Sequence, residues 1–106
     1  MKTSFWIGAA LLLPLVAVAQ PPDAQALQAR NLAATCANCH GTQGRAKGDM
    51  KPLAGMPADK MLALLADFKA GNQPATIMHQ ISKGYTEDQL RLIASYFAAQ
   101  TAAPAR

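Results

Sequence analysis

The apolar residues of this chain after position 20 recur mostly at the spacing of helix faces, and no segment alternates with the period of a strand. One helix is predicted to start at Asp23, a favourable N-cap residue, and to run towards Cys36. A second is predicted over residues 57–70, with proline in its first turn and Gly71 as its stop. Its apolar stripe consists of Met61, Leu64, Leu65 and Phe68.

The second half of the chain predicts two further helices. Residues 75–82 are predicted to form a short helix that ends at Gly84. Thr86-Glu87-Asp88-Gln89 is a capping box for the last helix, which places Leu90, Ile93 and Phe97 on one face. Residues 41–55 are rich in glycine and predict a loop. The predicted fold is therefore all-α, in a single small domain.

The first 19 residues differ in kind from the rest. Lys2 precedes an apolar run over residues 5–19 that ends in the small-x-small sequence Ala17-Val18-Ala19. This pattern is typical of a cleaved secretory signal and predicts export to the periplasm. A retained membrane anchor is the alternative, but the run of about 15 residues is shorter than the roughly 20 that a spanning helix needs. Residues 1–19 are thus interpreted as a signal peptide and 20–106 as one domain.

Charge and composition exclude some classes of function. The chain of 106 residues has a formal net charge of +4, and its lysines are spread along the sequence with few aromatic residues between them. That distribution does not indicate nucleic-acid binding; it fits a solvated surface or a weak basic rim that steers an acidic redox partner. A domain this small commonly needs a disulfide or a bound cofactor for stability.

The two cysteines occur in the pentapeptide Cys36-Ala37-Asn38-Cys39-His40, the C-x-x-C-H pattern of covalent haem attachment. Two thiols at this spacing can each bond one vinyl group of the porphyrin, and the adjacent imidazole then lies beneath the iron. A thioredoxin-like redox pair, half of a zinc site and a structural disulfide are the alternatives. The first lacks a βαβ pattern and the second lacks further ligands. The motif therefore predicts one covalent haem c, with His40 as proximal ligand.

A methionine is the expected sixth ligand of an electron-transfer haem. Met78 is favoured, because a whole helix and a turn separate it from His40 and let its sulfur reach the opposite face of the haem. Met56 is second, whereas Met50 lies close after the attachment site and Met61 fits core packing better. His79 is interpreted as a surface histidine, with bis-histidine ligation as the alternative.

Two further features fit a haem pocket. Pro52 offers a carbonyl that could accept the Nδ1–H of His40 and fix the ring, although it is also compatible with a simple loop proline. Candidates for the apolar wall of the pocket, or for ordinary core positions, are Leu53, Ile77, Ile81 and Leu90.

The sequence resembles class I cytochromes c, and especially the group of cytochrome c4 domains and the cytochrome subunit of flavocytochrome c sulfide dehydrogenase. The likeness rests on Cys36-Ala37-Asn38-Cys39-His40-Gly41, Pro52-Leu53-Ala54-Gly55, Asp67-Phe68-Lys69, Thr76-Ile77-Met78, Lys83-Gly84-Tyr85-Thr86 and Ile93-Ala94-Ser95-Tyr96-Phe97. It implies the class I fold around one covalent haem, with the methionine of Thr76-Ile77-Met78 as axial ligand.

The implied function is transfer of single electrons by a non-catalytic carrier or subunit. Its implied partners are a flavoprotein subunit that oxidises sulfide and another periplasmic cytochrome. The alternative is a haem protein with a labile sixth site that binds ligands or catalyses a reaction.

Overall fold

The computed structural model describes residues 18–19 and 21–102, so the predicted signal segment lies almost wholly outside it. Within that range the chain forms α-helices and short 3-10 turns and contains no strand, which confirms the all-α prediction. The α-helices are α1 (Pro22–Ala33), α2 (Ala37–His40), α3 (Ala58–Ala70), α4 (Met78–Lys83) and α5 (Glu87–Ala98), with 3-10 turns at Ala34–Cys36 and Thr42–Gly44.

The core lies where α5 packs against both α1 and α3. The apolar face predicted for the last helix is buried: Leu90, Ile93 and Phe97 are at most 3% exposed. Met61 of α3 and Ala33 of α1 complete the core from the other two helices. Burial of these side chains away from water supplies the main stabilisation of a three-helix arrangement. In contrast, α4 packs mainly on α3, at the edge of this core.

The helix ends follow local chemistry, with one correction. Asp23 does not cap α1: the N-cap position is Pro21 and the helix begins at Pro22, because proline suits the first helical position. Asp23 lies in the first turn, where a negative charge is favourable. Gly71 ends α3 in the left-handed conformation, as predicted. The capping box is confirmed, since the side chains of Thr86 and Gln89 each accept from the other's backbone N–H.

Helix α4 is shorter than predicted. It starts at Met78 rather than at residue 75, so that Met78 is its first residue, and it ends at Lys83 before Gly84. No helix among the described residues is long and apolar enough to cross a membrane.

Candidate functional site

The C-x-x-C-H residues lie on two consecutive helical turns, residues 34–40, which we call the attachment segment. Cys36 ends the 3-10 turn, and Cys39 and His40 lie in α2. The segment stops at Gly41, whose φ is +78°. A Cβ atom at this position would lie 2.2 Å from the carbonyl oxygen of Arg45, so only glycine allows the chain to turn here.

The two cysteines are free thiols in different surroundings. Cys36 is half-buried and Cys39 is exposed. Burial raises the pKa of the Cys36 thiol, and the neighbouring Thr35 hydroxyl works against that shift. Among the described residues, no three cysteine, histidine or acidic side chains group as metal ligands.

The His40 ring is oriented by a backbone carbonyl. Its Nδ1 lies 2.6 Å from the carbonyl oxygen of Lys51. A carbonyl can only accept, so Nδ1 carries the proton and, in the neutral ring, Nε2 keeps a lone pair for a metal. The predicted acceptor, the carbonyl of Pro52, is wrong by one residue. Lys51 supplies the oxygen from the peptide bond that precedes Pro52, and a residue before proline is restricted to an extended conformation.

The loop that follows His40, residues 41–55, is fixed against α5, and we call it the proximal loop. The carbonyl of Gly44 accepts from the backbone N–H of Leu53 at 2.9 Å and of Ala54 at 3.1 Å. Gly55 donates to the carbonyl of Phe97 at 2.9 Å. A Cβ atom on Gly44 would lie 2.6 Å from the Ala54 nitrogen and 2.8 Å from the Phe97 ring. These contacts hold the Lys51 carbonyl in reach of His40.

Met78 lies at the start of α4 and is half-buried. Its carbonyl accepts from the hydroxyl of Ser82 at 2.7 Å, and Ser82 is completely buried. On either side of this methionine, Ile77 is 56% exposed and Ile81 is 36% exposed. No hydrogen bond joins Met78 to the attachment segment in the described part of the chain. The two predicted ligands lie on separate elements, His40 in α2 and Met78 in α4.

His79 is half-buried, and its interpretation as a surface histidine is wrong. Its Nε2 donates to the carbonyl of Gln73 at 2.5 Å, and its ring centroid lies 6.2 Å from that of Phe68. The side chain therefore ties α4 to the turn that precedes it and to α3. Sequence spacing alone could not reveal this, because the acceptor is a backbone atom.

The remaining methionines of the described chain occupy three different environments. Met61 is 4% exposed in the core, which confirms its assignment to packing. Met56 is half-buried at the edge of the core. Met50 is 44% exposed and directly precedes Lys51, on the side of the molecule where His40 is held.

An open depression of about 640 Å³ lies beside Cys39. Arg45 and Lys47 line it together with residues of the attachment segment. Arg45 is fixed there by hydrogen bonds from its guanidinium to the carbonyl of Thr101 and to the side chain of Gln43. The surface next to the exposed thiol is therefore positively charged.

The residues present fit a covalently attached haem. Two free thiols and an imidazole with an available Nε2 lie on two consecutive helical turns. The exposed apolar side chains of Ile77 and Ile81 beside Met78 suit a large apolar group better than water. The donor set of nitrogen and thioether sulfur is one that low-spin iron accepts in electron-transfer proteins.

Comparison with known proteins agrees with this fit. Residues 26–100 match the family model of Cytochrome c. The chain is 38% identical over 66 residues to the cytochrome subunit of sulfide dehydrogenase from Chlorobaculum tepidum, which covers 62% of this chain and 60% of that protein. It is 33% identical over 63 residues to cytochrome c-552 of Acidithiobacillus ferridurans, covering 59% of this chain and 27% of the relative.

A third relative is the thiosulfate dehydrogenase electron acceptor of Stutzerimonas stutzeri, 34% identical over 67 residues, or 59% of this chain and 31% of the relative. The chain thus spans less than two thirds of the length of each of these three relatives. The family match covers most of the chain, including the C-x-x-C-H motif. The chain therefore belongs to the cytochrome c family, whose members transfer electrons through covalently bound haem c.

Proposed function

We propose that this chain is a periplasmic carrier of single electrons whose haem is bonded to Cys36 and Cys39 and ligated by His40 and Met78. The observation that carries the proposal is the hydrogen bond from His40 Nδ1 to the Lys51 carbonyl. It fixes the tautomer in which Nε2 can bind iron, and such a bond from a ligating histidine raises the basicity of the ring.

The environments of the methionines support Met78 as the sixth ligand. Met61 is enclosed in the core, so its sulfur is unavailable without unfolding α3. Met50 precedes the residue that holds His40, which favours the proximal side of the haem rather than the opposite one. Met56 packs at the edge of the core. Met78 stands at a helix end between exposed apolar side chains, where a thioether can be presented to a bound group.

When bound, haem c supplies a one-electron couple between ferrous and ferric iron. The residues of this chain orient the ligand and shape the surroundings of the group. Lys51 orients His40. The exposed apolar side chains of Ile77 and Ile81 would exclude water from a group bound against them, which would disfavour the more highly charged ferric form. His40 and Met78 would hold the iron from the protein and leave no position for a substrate, so the chain would act as a carrier rather than a catalyst.

The partner we propose is a flavoprotein that oxidises sulfide or a related sulfur compound, with a second cytochrome as acceptor. Two relatives support this, since one is named as the cytochrome subunit of sulfide dehydrogenase and another as the thiosulfate dehydrogenase electron acceptor. The basic depression beside Cys39 would place an acidic partner surface close to the attachment site. Association with such a partner should therefore weaken as salt concentration rises.

Export to the periplasm rests on the sequence of residues 1–19 and on the chemistry of the motif. The apolar run and its small-x-small end support cleavage after Ala19. Mass spectrometry of the protein purified from the periplasmic fraction tests both points. The expected product starts at Gln20 and carries one haem; an intact N-terminus in the membrane fraction would contradict the proposal.

The axial ligands are tested by optical spectra of the oxidised and reduced haem protein. We expect a six-coordinate spectrum with a weak sulfur-to-iron charge-transfer band that is lost in Met78→Ala and kept in the matched variant Met50→Ala. Ready binding of carbon monoxide by the wild-type ferrous form at neutral pH would instead favour a ligand-binding haem protein. Reduction on addition of sulfide and a flavoprotein dehydrogenase tests the partner separately.

A further inference from the structure

Tyr85 joins the attachment segment to the part of the chain that carries Met78. Its hydroxyl lies 2.7 Å from the hydroxyl of Thr35, the residue before Cys36. Tyr85 belongs to the short connection between α4 and α5. Among the described residues, this is the only side-chain hydrogen bond between the attachment segment and the chain beyond residue 57.

The Thr35 hydroxyl makes two contacts. It donates to the carbonyl of Leu32 at 3.1 Å. Its oxygen also lies within hydrogen-bond distance of the Tyr85 hydroxyl, and either hydroxyl can donate in that pair. These two contacts join Tyr85 through Thr35 to the backbone of α1.

Tyr85 is also fixed at its other end. Its ring is half-buried against the core cluster, and its carbonyl accepts from Lys69 Nζ of α3 at 3.2 Å. The same ammonium group pairs with Glu87 at the start of α5, at 2.9 Å. Displacing Tyr85 would break a packing contact and two hydrogen bonds together, so its position is coupled to those of the attachment segment and α3.

We propose that Tyr85 is a positioning residue for the sixth ligand: through Thr35 it sets the distance between the haem attachment turn and α4, and so the strength with which Met78 is held on the iron. This rests on the proposed ligation by Met78. The connection from Met78 to Tyr85 is the six-residue helix α4 and Gly84, short enough that movement of Tyr85 moves the methionine.

The test measures imidazole binding to the ferric haem protein, since imidazole competes with a methionine ligand for the iron. Tyr85→Phe removes only the hydroxyl. We expect the dissociation constant for imidazole to fall about fivefold, the factor that corresponds to one net hydrogen bond, with a weaker sulfur-to-iron band. Thr35→Val removes the same bond together with the one to Leu32, so it should lower the dissociation constant at least as far. Adding Tyr85→Phe to Thr35→Val should change nothing more, because the bond that the two residues share is already lost.

Tyr96→Phe is the matched control. Tyr96 is also half-buried, and its hydroxyl has no hydrogen bond among the described residues, so that variant should bind imidazole as the wild type does. Suppose that Met78→Ala changes both the sulfur-to-iron band and the imidazole affinity. An unchanged affinity in a folded Tyr85→Phe protein, or additive effects in the double variant, then overturns the positioning role of Tyr85 and leaves the ligation by Met78 standing. If Met78→Ala changes neither the band nor the affinity, the proposed ligation by Met78 is wrong and this inference falls with it.

Discussion

The proximal loop and helix α4 hold the two proposed axial ligands by different physical means. The loop is fixed by backbone hydrogen bonds and by the close contact of Gly44 with Phe97, a core residue that is 1% exposed. Helix α4 has six residues, packs mainly on α3 and exposes Ile77 and Ile81. A side-chain bond from His79 to the Gln73 carbonyl also ties it to the preceding turn.

The difference indicates how the two ligands should respond to change. A contact between backbone and core cannot be loosened without unfolding part of the domain, because the interior is close-packed. A single side-chain bond at the edge can open while the core stays intact. Changes on the His40 side should therefore lower the free energy of unfolding, whereas changes on the Met78 side should mainly alter how easily the sixth ligand is displaced.

The largest expected effect comes from filling the space at Gly44. Gly44→Ala puts a methyl group 2.6 Å from the Ala54 nitrogen at a φ of +76°. Steric overlap and the left-handed conformation together should lower the free energy of unfolding by about 3 kcal/mol. Urea denaturation of the haem protein measures this.

Gly48→Ala is the control for the Gly44 prediction. Gly48 has a φ of +64° and nothing within 4 Å of its ideal Cβ position, so only the conformational cost of about 1 kcal/mol applies. Equal losses in the two variants would show that the contact with Phe97 does not hold the loop.

The long periodic segments could be predicted from the sequence, and so could the chemistry of the motif. The capping box and the apolar face of Leu90, Ile93 and Phe97 are local patterns, and both are confirmed. The apolar stripe of α3 likewise predicts that Met61 packs in the core, and this is confirmed. The C-x-x-C-H spacing predicts covalent haem, and the wider likeness implies the family that the match over residues 26–100 confirms.

The contacts that the sequence could not predict involve backbone atoms, or residues far apart in the sequence, that the fold brings together. The acceptor for His40 is the carbonyl of Lys51 rather than that of Pro52, and no side-chain identity distinguishes two adjacent carbonyls. The sequence does not show that the His79 ring is held by the Gln73 carbonyl, because a backbone acceptor leaves no trace in side-chain identity. The contact of Tyr85 with Thr35 spans 50 positions and follows no local periodicity. Direct contact between Met78 and a haem stays a prediction.

A smaller effect, with a different signature, is expected at His79. His79→Leu removes the bond to the Gln73 carbonyl and should lower the free energy of unfolding by about 1 kcal/mol. Because that bond ties α4 to the preceding turn, imidazole should also displace the sixth ligand more readily. Absorption titration of the ferric protein and urea denaturation measure the two quantities.

Gln73→Ala is the control for His79, since it changes a side chain and keeps the carbonyl that accepts. It should leave imidazole binding as in the wild type. Wild-type affinity in His79→Leu would contradict the view that this bond holds α4. Loss of the six-coordinate spectrum in that variant would instead identify His79 itself as the ligand.

The smallest expected effect on the free energy of unfolding concerns two surface ion pairs, Lys69–Glu87 and Arg91–Asp88. Lys69 is 31% exposed and serves both Glu87 and the carbonyl of Tyr85, so Lys69→Met should lower the free energy of unfolding by about 0.5–1 kcal/mol. Arg91 and Asp88 lie 3.5 Å apart and are 66% and 92% exposed. Arg91→Met should therefore have no measurable effect, because solvent screens that pair.

Salt distinguishes the two parts of the Lys69 contribution. Raising the ionic strength in urea denaturation should remove the share that comes from Glu87, since screening acts on exposed charges. The share that comes from the Tyr85 carbonyl should persist, because a hydrogen bond to a half-buried group is screened far less. If high salt abolishes the whole difference between Lys69→Met and the wild type, the bond to Tyr85 contributes nothing, and the connection between α4 and α5 is held by the Tyr85 ring and hydroxyl alone.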